Sequence, residues 1–139
     1  YARGFCLVGS EMCIRDSYVS QLLPKFKNKI SGMAMNVPVA NGSCVDLTTE
    51  MSSMPSIEEV NNAFKDASEN ELIDLIRYTE DPIVSSDAIG GGETMVFDSK
   101  ATMIASNKLL KTISWFDNGW GFANRILELS ESYNELESN

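Results

Sequence analysis

The sequence predicts an α+β fold: a mainly antiparallel sheet with helices packed on one face, ending in a long C-terminal helix. Runs with the two-residue period of strands are grouped around helical segments, without the strict alternation typical of a parallel sheet. A helix-capping pattern stands at residues 56–59. One continuous apolar stripe then runs through residues 122–136, which predicts the last helix.

The first elements are predicted between residues 19 and 51. Apolar residues recur at helical spacing over residues 19–26, where Pro24 limits the regularity of the helix. Two strands joined by the turn "ANGS" are predicted next, over residues 33–37 and 44–51, because side chains of different character alternate along each. We expect Cys44, at the start of the second strand, to be a small buried hydrophobe.

The middle of the chain is predicted to contain two helices and several short strands. Ser56 and Glu59 form a capping-box pattern, so the first of these helices is expected to begin at Ser56. "NELIDLIRY" (70–78) predicts a second, short helix, and "DPIVSS" (81–86) predicts a short strand before the loop "DAIGGGE". Three further runs at close spacing predict an antiparallel meander: 94–98, 101–107 and 109–116.

The last predicted element is a long helix after the turn "DNGWG". Its apolar residues are spaced alternately four and three apart and form one stripe: Phe122, Ile126, Leu129, Tyr133 and Leu136. Glutamates occupy the other side of the same helix. A stripe of this kind is more typical of a docking face than of a cofactor site.

Composition and charge restrict the classes of function. The chain has 139 residues, of which 43% are hydrophobic, as expected for one globular domain. Its formal net charge of −9 argues against nucleic acid or an anionic membrane as a partner, because both require a basic patch. No apolar run is long enough to span a bilayer. With three scattered cysteines and no histidine, the sequence predicts no metal site and no histidine-activated nucleophile.

Polar and aromatic side chains converge in "SWFDNGWGFANR" (114–125), where a strand is predicted to turn into a helix. Strand ends are favoured places for ligands, and Asn118 can both donate and accept hydrogen bonds with an amide-bearing ligand. The alternative, which the residues alone favour, is that Asp117 or Asn118 caps the helix. In contrast, "GGG" at 90–92 is interpreted as a turn, because the lysine and Ser/Thr of a phosphate loop are absent.

Residues 1–17 do not fit the rest of the chain. "LVGSEMCIRDS" (7–17) has neither a helical nor a strand period and is no secretory signal. Its back-translation resembles a tagmentation adapter used in preparing sequencing libraries, in one reading frame from Leu7 into Ser17. We therefore expect residues 1–17 to be translated adapter and disordered, and native protein to start near Tyr18 or Val19, in mid-gene.

Two long motifs resemble the phosphorylating glyceraldehyde-3-phosphate dehydrogenases. "SWFDNGWGFANR" is similar to the family's C-terminal signature S-W-Y-D-N-E-x-G-Y-S-N-R, and "SGMAMNVPVANGSCVDLT" to L-T-G-M-A-F-R-V-P-T-x-N-x-S-V-V-D-L-T. "LLPKFKNKISG", "YTEDPIVSSD" and "VFDSKAT" fall in the expected order, so the resemblance covers residues 19–130. It implies that residues 18–139 are part of the family's C-terminal catalytic domain, without the N-terminal NAD domain.

The resemblance implies an oxidoreductase of glycolysis and gluconeogenesis that converts glyceraldehyde 3-phosphate, NAD or NADP, and phosphate to 1,3-bisphosphoglycerate. Family members act as cytoplasmic homotetramers. Their catalytic cysteine attacks the aldehyde and a histidine serves as acid and base. Both lie in motifs upstream of the residues present here, so the resemblance implies no catalytic residue in this chain and no activity for it alone.

The resemblance also implies two ligand contacts. Asn118 aligns with the asparagine that hydrogen-bonds the nicotinamide carboxamide, a role compatible with capping; Gly119 replaces the family's usual glutamate. Asn36 stands where the family commonly has an arginine that binds substrate or inorganic phosphate. A neutral amide binds phosphate more weakly than a bidentate guanidinium. An erythrose-4-phosphate dehydrogenase therefore stays open as an alternative. A second alternative is a non-catalytic oligomerisation module, because this domain builds tetramer contacts in the family.

Overall fold

The computed structural model describes residue 19 and residues 21–137. The expectation of adapter sequence at residues 1–17 lies outside this part of the chain. The chain divides into two units, Tyr1–Pro38 and Val39–Asn139, which are described separately.

The described part of the first unit contains little regular structure. One helical turn is closed by a 2.8 Å hydrogen bond from Leu23 N to the carbonyl of Val19, and a 3₁₀ turn follows over Pro24–Phe26. The helix expected here is therefore short, since proline has no N–H to continue it. The strand predicted over residues 33–37 is wrong: these residues have no regular secondary structure and belong to none of the described strands. Alternating side chains do not form a strand without a hydrogen-bonded neighbour.

The second unit is built on a four-stranded sheet: β1 (Ser43–Glu50), β2 (Ile76–Thr79), β3 (Met95–Ser106) and β4 (Leu109–Phe116). The order across the sheet is β1-β4-β3-β2. β4 pairs antiparallel with β1 and with β3, whereas β2 pairs parallel with β3. The predicted α+β class with a mainly antiparallel sheet is confirmed, and the single parallel pair makes the sheet mixed.

The predicted three-run meander forms two strands instead of three. The first two runs belong to the one long strand β3, whose register with β4 shifts between Asp98 and Met103. Such an irregularity breaks the side-chain alternation without ending the strand. The third run is β4, and the two strands are joined as a hairpin in which Ser106 pairs with Leu109.

The helix predicted over residues 70–78 is wrong. Residues 70–75 form turns and are followed by β2. Asp74 has a φ of +64°, which a right-handed helix does not tolerate. The carbonyl of Leu75 accepts hydrogen bonds from the backbone N–H groups of Thr94 and Met95, at 2.9 and 3.2 Å, and these bonds start the parallel pairing.

The short strand predicted over residues 81–86 is also wrong. The segment leads into a 3₁₀ turn over Ser85–Ala88. The side chain of Asp87 accepts a 2.8 Å hydrogen bond from the backbone N–H of Val84. This local bond between a carboxylate and a backbone group competes with strand formation.

The first long helix, α1 (Ile57–Glu69), begins as its capping box predicts. The hydroxyl of Ser56 accepts from the N–H of Glu59 at 3.1 Å, and the carboxylate of Glu59 accepts from the N–H of Ser56 at 2.7 Å. α1 packs on β2 and β3. Its Phe64 ring stacks on fully buried Phe97, with centroids 3.8 Å apart. Burying a side chain of this size contributes roughly 1.5–3 kcal/mol.

The edge strand β1 is exposed. Its side chains Val45 and Leu47 are 50% and 53% exposed. Cys44, which was expected to be buried, is also exposed. A strand at the edge of a sheet has one neighbour, and no described residue covers either face of β1 enough to bury these side chains.

The second long helix, α2 (Trp120–Glu137), matches the predicted C-terminal helix. Its apolar stripe is exposed over its length, between 50% at Ile126 and 75% at Leu136. Within the described residues, no helix combines the length and apolar character needed to cross a membrane.

Candidate cofactor-contact turn between β4 and α2

Three residues connect β4 to α2: Asp117, Asn118 and Gly119. The strand before this turn is held from both sides, because Trp115 pairs with Cys44 of β1 and with Val96 of β3. The indole N–H of Trp115 also donates a 3.2 Å hydrogen bond to the carboxylate of Asp98. The turn therefore starts from a fixed point of the sheet.

Asp117 caps α2. Its Oδ1 accepts hydrogen bonds from the backbone N–H groups of Gly119 and Trp120, both at 2.9 Å. The first N–H groups of a helix have no partner within the helix, and an anion there also complements the helix dipole. Of the two candidate caps named from the sequence, Asp117 makes the bonds.

The second oxygen of Asp117 joins the turn to two other segments. Oδ2 accepts a 3.1 Å hydrogen bond from the backbone N–H of Gly90 and a 3.5 Å bond from the side-chain amide of Asn41. The N–H groups of Trp120, Gly119 and Gly90 hold the pKa of Asp117 below its ordinary value, with the Trp120 bond the largest cause and partial burial opposing. Asp117 is therefore an anion at neutral pH.

Asn118 is left free by this arrangement. Its side chain is exposed and has no hydrogen bond to any residue that the structure describes. A free carboxamide presents one acceptor oxygen and two donor hydrogens. The residue that the sequence singled out for a ligand is thus not occupied in capping the helix.

The start of α2 is fixed against the segment that precedes β3. Gly121 is buried, and a Cβ there would lie 2.7 Å from the carbonyl oxygen of Glu93, so only glycine allows this approach. Arg125 donates to the carbonyls of Asp74 and Gly92, both at 3.3 Å, and forms an ion pair with Glu128. These contacts hold the helix, and with it the turn that carries Asn118.

Sequence reasoning missed this support. The "GGG" loop was interpreted only as a turn, yet the N–H of Gly90 and the carbonyl of Gly92 both contact the β4–α2 region. Gly90 has a φ of +75°, a conformation that favours glycine. The available signal was Arg125, a charged residue inside the motif already singled out.

The second predicted contact, Asn36, lies in the other unit. Asn36 is exposed, in a segment without helix or strand, between Met35 and Val37, which are 74% and 61% exposed. Within the described residues, no group of three or more Cys, Asp or Glu side chains is placed to hold a metal ion.

Comparison with known proteins shows the family of the chain. The model of the family described as "Glyceraldehyde 3-phosphate dehydrogenase, C-terminal domain" matches residues 15–118, a range that includes both Asn36 and Asn118. The chain belongs to the glyceraldehyde-3-phosphate dehydrogenase family. The match identifies the sheet of the second unit as part of that family's C-terminal domain.

Curated proteins similar to the chain carry the name glyceraldehyde-3-phosphate dehydrogenase. The chain is 46% identical to glyceraldehyde-3-phosphate dehydrogenase 2 of Streptomyces avermitilis over 109 residues, covering 78% of this chain and 32% of the relative. It is 40% identical to the Cochliobolus heterostrophus enzyme over 121 residues (87% and 36%). It is 41% identical to the Priestia megaterium enzyme over 113 residues (81% and 34%). The chain spans about a third of the length of these relatives.

Proposed function

We propose that the chain is part of a phosphorylating glyceraldehyde-3-phosphate dehydrogenase. The whole enzyme converts glyceraldehyde 3-phosphate, NAD or NADP, and phosphate to 1,3-bisphosphoglycerate, and acts as a cytoplasmic homotetramer. The observation that carries this proposal is the exposed side chain of Asn118, which has no described partner and is held beside an ionised helix cap in the family's signature motif.

The chain's own part in this reaction is to bind and orient the cofactor. When bound, NAD(P) accepts the hydride. The amide of Asn118 hydrogen-bonds the nicotinamide carboxamide and so fixes which face of the ring meets the substrate. Asp117 holds the turn through four hydrogen bonds. A neutral amide that is exposed and unpaired among the described residues fits a carboxamide partner, because each group offers one acceptor and two donors.

The chemical step requires groups outside this chain. The sequence contains no histidine, so the acid–base group comes from the part of the relatives' length that this chain does not span. The same holds for the catalytic cysteine. We expect the chain alone to reduce no NAD with glyceraldehyde 3-phosphate or with erythrose 4-phosphate.

The identity of the aldehyde substrate depends on a different residue, Asn36. An asparagine at the family's arginine position provides no charged fork for a phosphate group. Erythrose-4-phosphate dehydrogenase therefore stays open as a second candidate. The two differ in the aldehyde and share the cofactor contact at Asn118.

A chimeric enzyme tests the proposal. Residues 19–137 replace the corresponding segment of the Streptomyces avermitilis relative, and NAD reduction is measured with each aldehyde. We expect turnover with glyceraldehyde 3-phosphate, and an increase in KM for NAD of about tenfold on Asn118→Ala, the value of one hydrogen bond at the upper end of its range. Asn62→Ala, an exposed asparagine on α1, serves as the matched control and should leave KM unchanged.

Three other outcomes discriminate the alternatives. A higher kcat/KM for erythrose 4-phosphate, reversed by Asn36→Arg, would favour the second candidate. A folded tetramer without turnover on either aldehyde would contradict both and favour the oligomerisation module. An active chimera in which Asn118→Ala and Asn62→Ala behave alike would remove Asn118 from the cofactor site.

A further inference from the structure

The turn between β4 and α2 contains an asparagine directly followed by glycine, Asn118–Gly119, and the same pair occurs at Asn41–Gly42. Glycine has no Cβ, so its backbone nitrogen can approach the side-chain carbonyl of the residue before it. We propose that Asn118 is a site of spontaneous deamidation, at which the folded chain converts asparagine to aspartate and isoaspartate faster than at Asn41.

The reaction needs only water. The backbone nitrogen of Gly119 attacks Cγ of Asn118, an N–Cγ bond forms, and the nitrogen loses its proton. The Cγ–Nδ2 bond breaks, ammonia leaves, and a five-membered succinimide ring results. Water then opens the ring at one of two carbonyl carbons: cleavage of N–Cγ gives aspartate, and cleavage of the bond to the backbone carbonyl carbon gives isoaspartate. The net change is loss of ammonia and gain of water, without oxidation or reduction.

The geometry of the turn favours this reaction at Asn118. The Asn118 side chain is exposed and makes no hydrogen bond to a described residue, so it can rotate toward the next nitrogen. A Cβ added at Gly119 would have only Oδ1 of Asp117 near it, at 3.9 Å, so the surroundings of Gly119 are open. The N–H of Gly119 donates to Oδ1 of Asp117 at 2.9 Å, and this bond must open before the nitrogen attacks; Asn118 and Gly119 are both exposed.

Asn41 has the same local sequence but a more restrained setting. Its amide donates to Asp117 at 3.5 Å. Gly42 has a φ of +87°, and a Cβ there would lie 2.6 Å from the carbonyl oxygen of Ser85. The surroundings of Gly42 are therefore more crowded than those of Gly119.

Conversion would change the character of the turn. It removes the donor hydrogens of the Asn118 amide and adds a second carboxylate beside Asp117. If the proposed function is correct, the cofactor contact is lost with the amide; this consequence rests on that proposal, whereas the deamidation itself does not. Glycine stands at 119 where the family signature usually has glutamate.

Peptide mass spectrometry of the full chain tests the proposal. The chain is incubated at mildly alkaline pH, folded or in concentrated urea, and conversion at each asparagine is followed over time with aspartate and isoaspartate products separated. In urea the two Asn–Gly pairs should react at similar rates. In the folded chain Asn118 should react several times faster than Asn41. Equal rates in the folded chain, or faster conversion at Asn41, would overturn the proposal.

A variant and an aged enzyme complete the test. Gly119→Glu should suppress conversion at Asn118 and leave Asn41 unchanged; undiminished conversion would contradict the proposal that glycine at 119 makes Asn118 susceptible. In the chimera, KM for NAD should rise in step with the converted fraction. Full conversion with an unchanged KM would refute the cofactor role of Asn118 while leaving the modification established by mass.

Discussion

The two long helices among the described residues have the same kind of sequence and opposite surroundings. α1 and α2 each carry an apolar stripe at helical spacing. Val60 of α1 is 8% exposed on the sheet, whereas Leu129 of α2 is 59% exposed. The comparison teaches that periodicity determines that a helix forms and which side is apolar, but a second surface must be present before that side contributes burial energy.

The N-terminal caps of the two helices also differ. The α1 cap is local, because Ser56 and Glu59 bond to each other within one turn. The α2 cap is tertiary, because Asp117 also binds Gly90 and Asn41 from distant segments. The helix with the buried stripe thus has a self-contained start, and the helix with the exposed stripe is held to the domain mainly at its start.

The largest expected effect separates two variants: one removes an aromatic ring on which α1 packs, and the other removes an aromatic ring from the exposed stripe of α2. Phe97→Ala removes a fully buried ring that stacks on Phe64 of α1, and should lower the free energy of unfolding by about 3–5 kcal/mol. Phe122→Ala, on the α2 stripe, should change it by less than about 0.5 kcal/mol. Urea denaturation followed by circular dichroism measures both. Similar losses in the two variants would mean that α2 is covered in solution.

A smaller effect is expected from the local cap. Ser56→Ala removes the acceptor for the N–H of Glu59 and should destabilise the chain by about 1 kcal/mol. Because the α1 cap is self-contained, amide hydrogen exchange should accelerate only in the first turn of α1. Asp117→Ala should instead accelerate exchange at both Gly90 and Trp120. If amide exchange accelerated only next to the substituted residue in both variants, the distinction between a local and a tertiary cap would be contradicted.

The smallest effect is a difference between the two caps in acid. The pKa of Glu59 is held below its ordinary value of 4.5 by its bonds to Ser56, chiefly the backbone one. The pKa of Asp117 is held below 3.8 by backbone N–H groups. For both groups the folded-state pKa is the lower one, so the stabilisation is complete above the ordinary value and is lost as pH falls through the lowered pKa.

We expect the Glu59 cap to open at higher pH than the Asp117 cap, because Asp117 starts from a lower ordinary value and accepts more N–H groups. Amide NMR shifts of Ser56 and of Gly119 during an acid titration measure the two midpoints. Asp117→Asn should abolish the Gly119 titration and serves as the control. A reversed order of midpoints would disprove the expectation.

Local sequence patterns predicted the elements whose causes are local. The Ser56–Glu59 box marked the start of α1, and β1, β4 and α2 lie where their periods predicted. The errors have non-local causes. β2 has only four residues and owes its form to pairing with β3, and the φ of Asp74 that ends the preceding turns has no signature in an apolar period.

At the candidate site, too, the local interactions were predicted and the long-range ones were not. Asp117 and Asn118 were found because they lie together in one motif, and a cap is a local interaction. The roles of Gly90 and Asn41 were not found, because each reaches Asp117 across the fold. Whether a side chain is free for a ligand depends on such distant partners, and the choice between Asp117 and Asn118 as the cap needed the structure.

The position of β1 has a consequence for the order in which the chain folds. β3 and β4 are neighbours in sequence and meet as a hairpin, which forms quickly. Among the described strands, β1 pairs with β4 alone, and α1, β2 and β3 lie between them in the chain. Closing so long a loop slows folding. During synthesis β1 leaves the ribosome long before its partner exists, and its half-apolar edge stays open to other chains until β4 arrives.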